Sequence, residues 1–150
     1  MVAPFPIRPA RLADVPAIHA IERDAFSDPW SPRDFRDCLE SELPFLVATS
    51  DGGVAGYIVG LQGADEGEIL NVGVGRASRR RGLGRALVAA MLTRLAALGA
   101  ATVYLEVRES NRPARSLYAQ LGFQDIGRRR GYYRDPLEDA VMLKRDIPRG

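Results

Sequence analysis

At 150 residues, 46% hydrophobic and 27% charged, the chain has the size and balance of one globular domain, which excludes a disordered or fibrous protein. No apolar run is long enough to span a bilayer, and Met1 to Leu12, with prolines and two arginines, lacks the apolar stretch of a signal peptide. The single cysteine, Cys38, excludes an internal disulfide, so the expected setting is the cytoplasm and the expected organisation is one domain over residues 1–150.

A first helix is predicted from Asp14, a good N-cap residue, to about Phe26. Val15, Ile18 and Ile21 form its apolar stripe, and Pro16 is tolerated in the first turn. A second, short helix follows Pro29-Trp30, with Ser31 as N-cap, Pro32 at the first helical position and Asp34 completing the cap. Phe45–Ser50 and Val54–Gln62 flank Asp51-Gly52-Gly53 and read as a β-hairpin. Glu68–Val74 is the next strand.

Gly82–Leu98 is the longest predicted helix, with Leu83, Leu87, Met91, Leu95 and Leu98 on one face and Gly99 past its end. Thr102–Val107 alternates as a strand should, with Val103, Leu105 and Val107 facing one way and Tyr104 and Glu106 the other. Asn111 caps a further helix to about Leu121, and strands near Phe123–Arg129 and Asp139–Arg145 finish the chain. The middle is therefore one right-handed βαβ unit inside an α/β (or α+β) fold, a mixed sheet with helices on its faces.

Arg79-Arg80-Arg81-Gly82-Leu83-Gly84-Arg85 lies where the strand before it passes into the long helix. A helix N-terminus presents unpaired N–H groups and a partial positive charge. Glycines let an anion approach those groups, and arginines add charge-assisted hydrogen bonds. The pattern suits a pyrophosphate; a plain glycine turn with solvated arginines is the alternative. A P-loop would need Lys-Ser/Thr where Arg85-Ala86 stands. A dinucleotide fingerprint would need a third glycine near Leu87, and too little chain follows Val107 for a doubly wound sheet.

With that loop the sequence resembles the GCN5-related N-acetyltransferases (GNAT), whose cofactor loop reads Gln/Arg-x-x-Gly-x-Gly/Ala. Asn71-Val72-Gly73-Val74 is similar to the family's splayed fourth strand, and Asn111 with Leu117-Tyr118 and Leu121-Gly122-Phe123 to its later asparagine and tyrosine motif. Within the family the chain resembles the bacterial ribosomal-protein-alanine N-acetyltransferases of the RimI type. That likeness runs through Pro29-Trp30-Ser31, Leu105-Glu106-Val107-Arg108, Tyr132-Tyr133 and Glu138-Asp139-Ala140. Gly73 stands where the family usually has alanine, and Gly75 where it often has an acidic residue; both keep the backbone accessible. The Tyr132-Tyr133 loop continues as Arg134-Asp135-Pro136 and differs in length and composition from its relatives.

The resemblance implies a mixed, mostly antiparallel GNAT sheet and acetyl-CoA as cosubstrate, with no metal. The acetyl group would pass directly to the α-amine of a protein N-terminus, the usual target being small-subunit ribosomal protein eighteen. Its cofactor residues would be Val72, Gly73, Val74, Arg79, Arg80, Arg81, Gly82, Leu83, Gly84, Arg85 and Asn111. Glu106 would be the base and Tyr118 the acid. Glu68 is a rival base, while Asp65 and Glu66 read as a solvated loop. Glu106 could also be a surface residue paired with Arg108, and Tyr118 simple helix packing. Trp30, Tyr132 and Tyr133 are candidates for lining the peptide groove.

Two other functions stay open on the sequence. One keeps acetyl-CoA and changes the acceptor to a lysine, a polyamine or another small amine. The other is a non-catalytic module binding acyl-CoA or RNA, the latter suggested by Arg128, Arg129, Arg130 and Arg134 beside Tyr132 and Tyr133. Direct nucleic-acid binding and membrane association are not expected. His19 reads as an ordinary helix residue and Cys38 as inert packing.

Overall fold

The computed structural model describes residues 5–148. Strand β1 (Ile7–Pro9) leads to α1 (Val15–Ala25) and α2 (Pro32–Glu40), then to β2 (Phe45–Ser50), β3 (Gly53–Gly63) and β4 (Glu66–Val74). Helix α3 (Leu83–Ala97), β5 (Thr102–Arg108), α4 (Arg112–Gln120), β6 (Gln124–Tyr133) and β7 (Glu138–Asp146) follow. The seven strands form one sheet in the order β1-β2-β3-β4-β5-β7-β6. β4 and β5 are parallel, joined by α3 as the predicted βαβ unit, and the other neighbouring pairs are antiparallel.

The local signals behave as their chemistry requires. Ser31 accepts from the Asp34 backbone N–H at 3.1 Å while Asp34 accepts from the Ser31 N–H at 2.8 Å, closing the capping box of α2. Asp14 takes the N-cap position of α1 but does not cap it. Its carboxylate instead receives Arg8 at 2.8 and 2.9 Å and the Arg11 N–H at 2.8 Å, which holds it well below the usual carboxylate range. That pairing ties α1 to β1, an edge strand the sequence reading did not anticipate.

Two apolar layers cover the sheet. α1 and α2 pack Val15, Ile18 and Phe35 against Phe45, Val47, Tyr57 and Val59. On the opposite face α3 buries Leu83, Leu87, Met91 and Leu95 against Ile58, Ile69, Val103 and Leu105. Leu98, expected on the buried face of α3, sits at its C-terminal cap and is 47% exposed, because the helix has ended before the stripe completes another turn. Several strands run longer than expected: β4 begins at Glu66, β6 continues to Tyr133, β7 spans Glu138–Asp146, and β3 and β5 extend slightly to Gly53–Gly63 and Thr102–Arg108. Glu66, read as loop, and Tyr132-Tyr133, read as loop, are therefore strand residues.

Among the described residues no helix is long and apolar enough to cross a membrane.

Candidate active site

The site begins with a defect in the sheet. β4 pairs with β5 from Glu66↔Thr102 to Ile69↔Leu105 and no further, so Leu70–Val74 lean away from β5. A register irregularity against β3, where Val59 faces Asn71 and Gly60 faces Ile69, makes the bend. The result is a V-shaped gap lined on one side by the backbone of Val72, Gly73 and Val74. β3 pairs with these residues on their other side, which fixes the strand while leaving the β5-facing groups available.

Gly73 has a packing reason as well as the accessibility expected of it. A Cβ there would lie 2.3 Å from the Tyr57 hydroxyl oxygen, so the missing methyl is the space Tyr57 occupies. The Tyr57 hydroxyl donates to the buried Glu22 carboxylate, which also accepts from the Trp30 N–H at 2.9 Å and the Asn71 side-chain amide at 2.8 Å. Three donors satisfy a carboxylate that is 2% exposed and join α1, the α1–α2 loop, β3 and the bend of β4. Burial and the facing Glu22 charge push the Tyr57 hydroxyl far up. Sequence reasoning missed Glu22 and Tyr57; a charged residue on the stripe side of α1 was the only available signal.

At the wide end of the V lies the corner of residues 79–85. Arg80 (φ 63°) and Gly82 (φ 80°) are in the left-handed region, curling the loop so that α3 starts at Leu83 with no side-chain cap. The leading amides of α3 thus have no intrahelical acceptor. Leu83 is buried, so only its backbone faces this corner. Arg80, Arg81 and Arg85 are exposed, Arg81 lying over the Phe5 ring and Arg85 donating to Gln120 at 3.0 Å. Arg79 is turned elsewhere: it donates to the Val74 carbonyl at 3.2 Å and approaches Asp24 at 3.6 Å. Asn111 caps α4 through its Oδ1, which accepts from the Ala114 N–H at 3.2 Å.

Glu106 projects from β5 on the α1–α2 face. Its partner is Arg129 on β6, 3.2 Å from Oε1, and its Oε2 is buried with no hydrogen-bond donor. The suggested pairing with Arg108 does not form. Arg108 instead binds Glu138 at 3.2 Å, donates to the carbonyls of Arg134 and Pro136 at 2.7 and 2.9 Å, and lies over the Tyr133 ring at 4.6 Å. It fastens the β6–β7 turn.

Glu68 shares an open depression of about 390 Å³ with Glu106, Arg129 and Tyr104. Burial, then the Glu106 charge, push the Glu68 carboxyl up, and Arg129 opposes them. The Tyr133 hydroxyl is pushed up by burial first, then by Glu106, Tyr132 and Tyr118. Tyr133 thus stands in the field of Glu106, which the Arg108 guanidinium over its ring opposes. Tyr118, 5% exposed on α4, packs edge-on against Phe123 with ring centroids 5.6 Å apart, and burial raises its hydroxyl to about 12.

Trp30 stays apart from this cluster, packed on Phe35 with centroids 5.3 Å apart. In the second arginine group, Arg128 and Arg129 are paired within the protein. Arg128 binds Asp125 at 2.8 Å and Glu109 at 3.3 Å, and Arg129 covers both Glu106 and the Tyr132 ring. Cys38 packs beside α2's apolar face, and burial raises its thiol. Among the described residues no group of three or more His, Cys, Asp or Glu is placed to hold a metal.

A sheet splayed beside its parallel pair thus has an uncapped helix start at one end of the gap and a cluster of carboxylates and hydroxyls at the other. Residues 15–123 match the acetyltransferase (GNAT) family. The [ribosomal protein bS18]-alanine N-acetyltransferase of Escherichia coli strain K12 is 36% identical over 132 residues, 87% of this chain and 89% of that protein. An N-alpha-acetyltransferase of Sulfurisphaera tokodaii is 37% identical over 153 residues, 93% of this chain and 91% of that protein. The crystal structure of the ribosomal-protein-S18-alanine N-acetyltransferase from E. coli has a TM-score of 0.89 at 34% identity, covering 97% of this chain and 96% of that one.

The chain belongs to the GNAT family and is an acetyltransferase. Enzymes of this fold use acetyl-CoA.

Proposed function

We propose that this enzyme transfers acetyl from acetyl-CoA to the α-amine of a protein N-terminus, with the N-terminal alanine of ribosomal protein bS18 as its acceptor. The whole chain, 1–150, acts as one cytoplasmic domain. Likeness to the E. coli bS18-alanine enzyme supports the acceptor. The observation that supports the chemistry is the end of β4–β5 pairing at Ile69↔Leu105, which opens the gap at the strand position where Glu106 follows.

The residues present fit the cosubstrate. Left-handed Arg80 and Gly82, the uncapped start of α3 and exposed arginines make a cradle for a diphosphate. Acetyl-CoA, when bound, supplies an acetyl group activated as a thioester. The amides of residues 81–85, with Arg80, Arg81 and Arg85, hold the phosphates; Arg79 supports the loop from beneath. Within Val72, Gly73 and Val74, the backbone N–H groups that point away from β3 into the gap donate to the carbonyl oxygen where negative charge develops. Asn111 orders the start of α4 and so sets the position of Tyr118.

An α-amine has an ordinary pKa of ~7.8 against ~10.4 for lysine, a gap of about 3.5 kcal/mol in the cost of baring the nitrogen. A single carboxylate therefore serves an N-terminal substrate better than a lysine. Glu106 takes the proton from the amine nitrogen, directly or through a water. Tyr118 is held protonated by burial and gives a proton to the departing sulfur. Tyr132 and Tyr133 flank the acceptor path, and Trp30 steadies the α1–α2 loop by packing on Phe35.

The test is acetylation of paired peptides, one with a free N-terminal alanine and one blocked there but carrying a lysine. The free peptide is expected to be acetylated at its α-amine. Modification of the blocked peptide alone would move the acceptor to lysine.

A further inference from the structure

Glu106 is held by a cation before any substrate arrives. Its side chain is 19% exposed and that of its partner Arg129 is 54% exposed, so the carboxylate sits inside and the guanidinium lies at the opening. Arg129 comes from β6, the outer strand of the sheet, with no further strand beyond it to hold it in place. The groups facing the carboxylate are Glu68 from β4, Arg129 and the Tyr132 and Tyr133 hydroxyls from β6. Oε2 is buried without a donor, leaving the Arg129-bound Oε1 as the oxygen nearest the opening.

We propose that Arg129 is a placeholder for the substrate amine: it covers Glu106 in the free enzyme and gives up that place to the incoming N-terminal ammonium. This rests on the reading that Glu106 meets the α-amine. At neutral pH most α-amines are still protonated, so the arriving group carries the same charge as the guanidinium. Two cations on one carboxylate oxygen repel each other, by on the order of 1 kcal/mol at ~4 Å in water, and the one already half in water leaves at the smaller cost. Until then Arg129 spares the site an uncompensated, largely buried charge beside a second carboxylate, Glu68. The guanidinium already lies 5.3 Å from the Tyr132 ring while it holds Glu106, a contact it can keep when it swings off the carboxylate. Arg129 is thus a positioning residue acting through Glu106.

Calorimetry on the CoA-saturated enzyme tests this without turnover, using a short peptide with a free N-terminal alanine. Arg129→Gln should tighten the peptide's Kd about threefold, within the range of a solvent-shared ion pair, and Arg129→Lys should restore the wild-type value. In a Glu106→Gln background, the same Arg129→Gln change should leave Kd unmoved, because nothing remains to compete for. Unchanged or weaker peptide binding by Arg129→Gln in the otherwise native enzyme overturns the placeholder. So does a threefold gain that persists without the Glu106 charge. The α-amine reading itself fails separately, if the N-terminally blocked peptide binds the native enzyme as tightly as the free one.

Discussion

The two ends of the V are built from different materials. The 79–85 corner, the proposed seat of the cosubstrate, is built mainly of backbone, with left-handed turns and an uncapped helix start beside exposed arginines. The Glu106 end works through side chains delivered singly by β5, α4 and β6 and kept in place by burial and ion pairs. A backbone cradle spreads its interaction over many groups, so losing one side chain there costs little. A side-chain cluster concentrates its chemistry in individual atoms, so losing one there costs a great deal.

The contrast is sharpest at Glu106. Glu106→Gln keeps the shape and removes the proposed proton acceptor, and kcat should fall by about 10²–10³ with acetyl-CoA affinity unchanged, as steady-state kinetics would read. Activity within twofold of the native enzyme would break the comparison outright. Tyr118→Phe should lower kcat by about tenfold or more, with a melting temperature close to native because the ring still packs on Phe123. The raised Tyr118 hydroxyl, at about 12, stays protonated across the assay range, so a falling limb of kcat below about pH 9 must come from another group.

On the backbone side, Arg81→Ala should raise the KM for acetyl-CoA only about two- to fivefold and leave kcat alone, a loss comparable to one exposed ion pair. The smallest effect belongs to Glu68. Its carboxyl is raised above the ordinary 4.5, so the folded protein binds that proton more tightly than the unfolded chain does. Stability therefore falls as pH climbs from about 4.5 through the raised value. Glu68→Gln should remove that decline and gain a few tenths of a kcal/mol at pH 7, after allowance for solvent screening, and nothing near pH 3. Thermal unfolding at the two pH values measures it.

The same division decides what the sequence discloses. The α2 capping box, the Asp51-Gly52 turn and the glycine corner are encoded by neighbours, and each forms where expected. β5 shows its two faces by simple alternation, which alone put Glu106 opposite Val103 and Leu105. Partners distant along the chain leave no such mark. Glu22 meets Tyr57 and Asn71 across 35 and 49 residues, and Gly73 is small because of that tyrosine. Arg129 faces Glu106 only because β7 lies between β5 and β6 and sets their stagger. Pairing Glu106 with Arg108 was reasonable from spacing, yet Arg108 is drawn to Glu138 and the turn after Tyr133, whose length no periodicity reveals.

Amide hydrogen exchange with and without CoA tests most directly that a backbone corner receives the cosubstrate. Slowed exchange concentrated at residues 72–74 and 81–85 is the predicted result, with Glu106→Gln giving the same footprint. Saturated binding that leaves those amides unchanged and protects another part of the molecule would contradict the account.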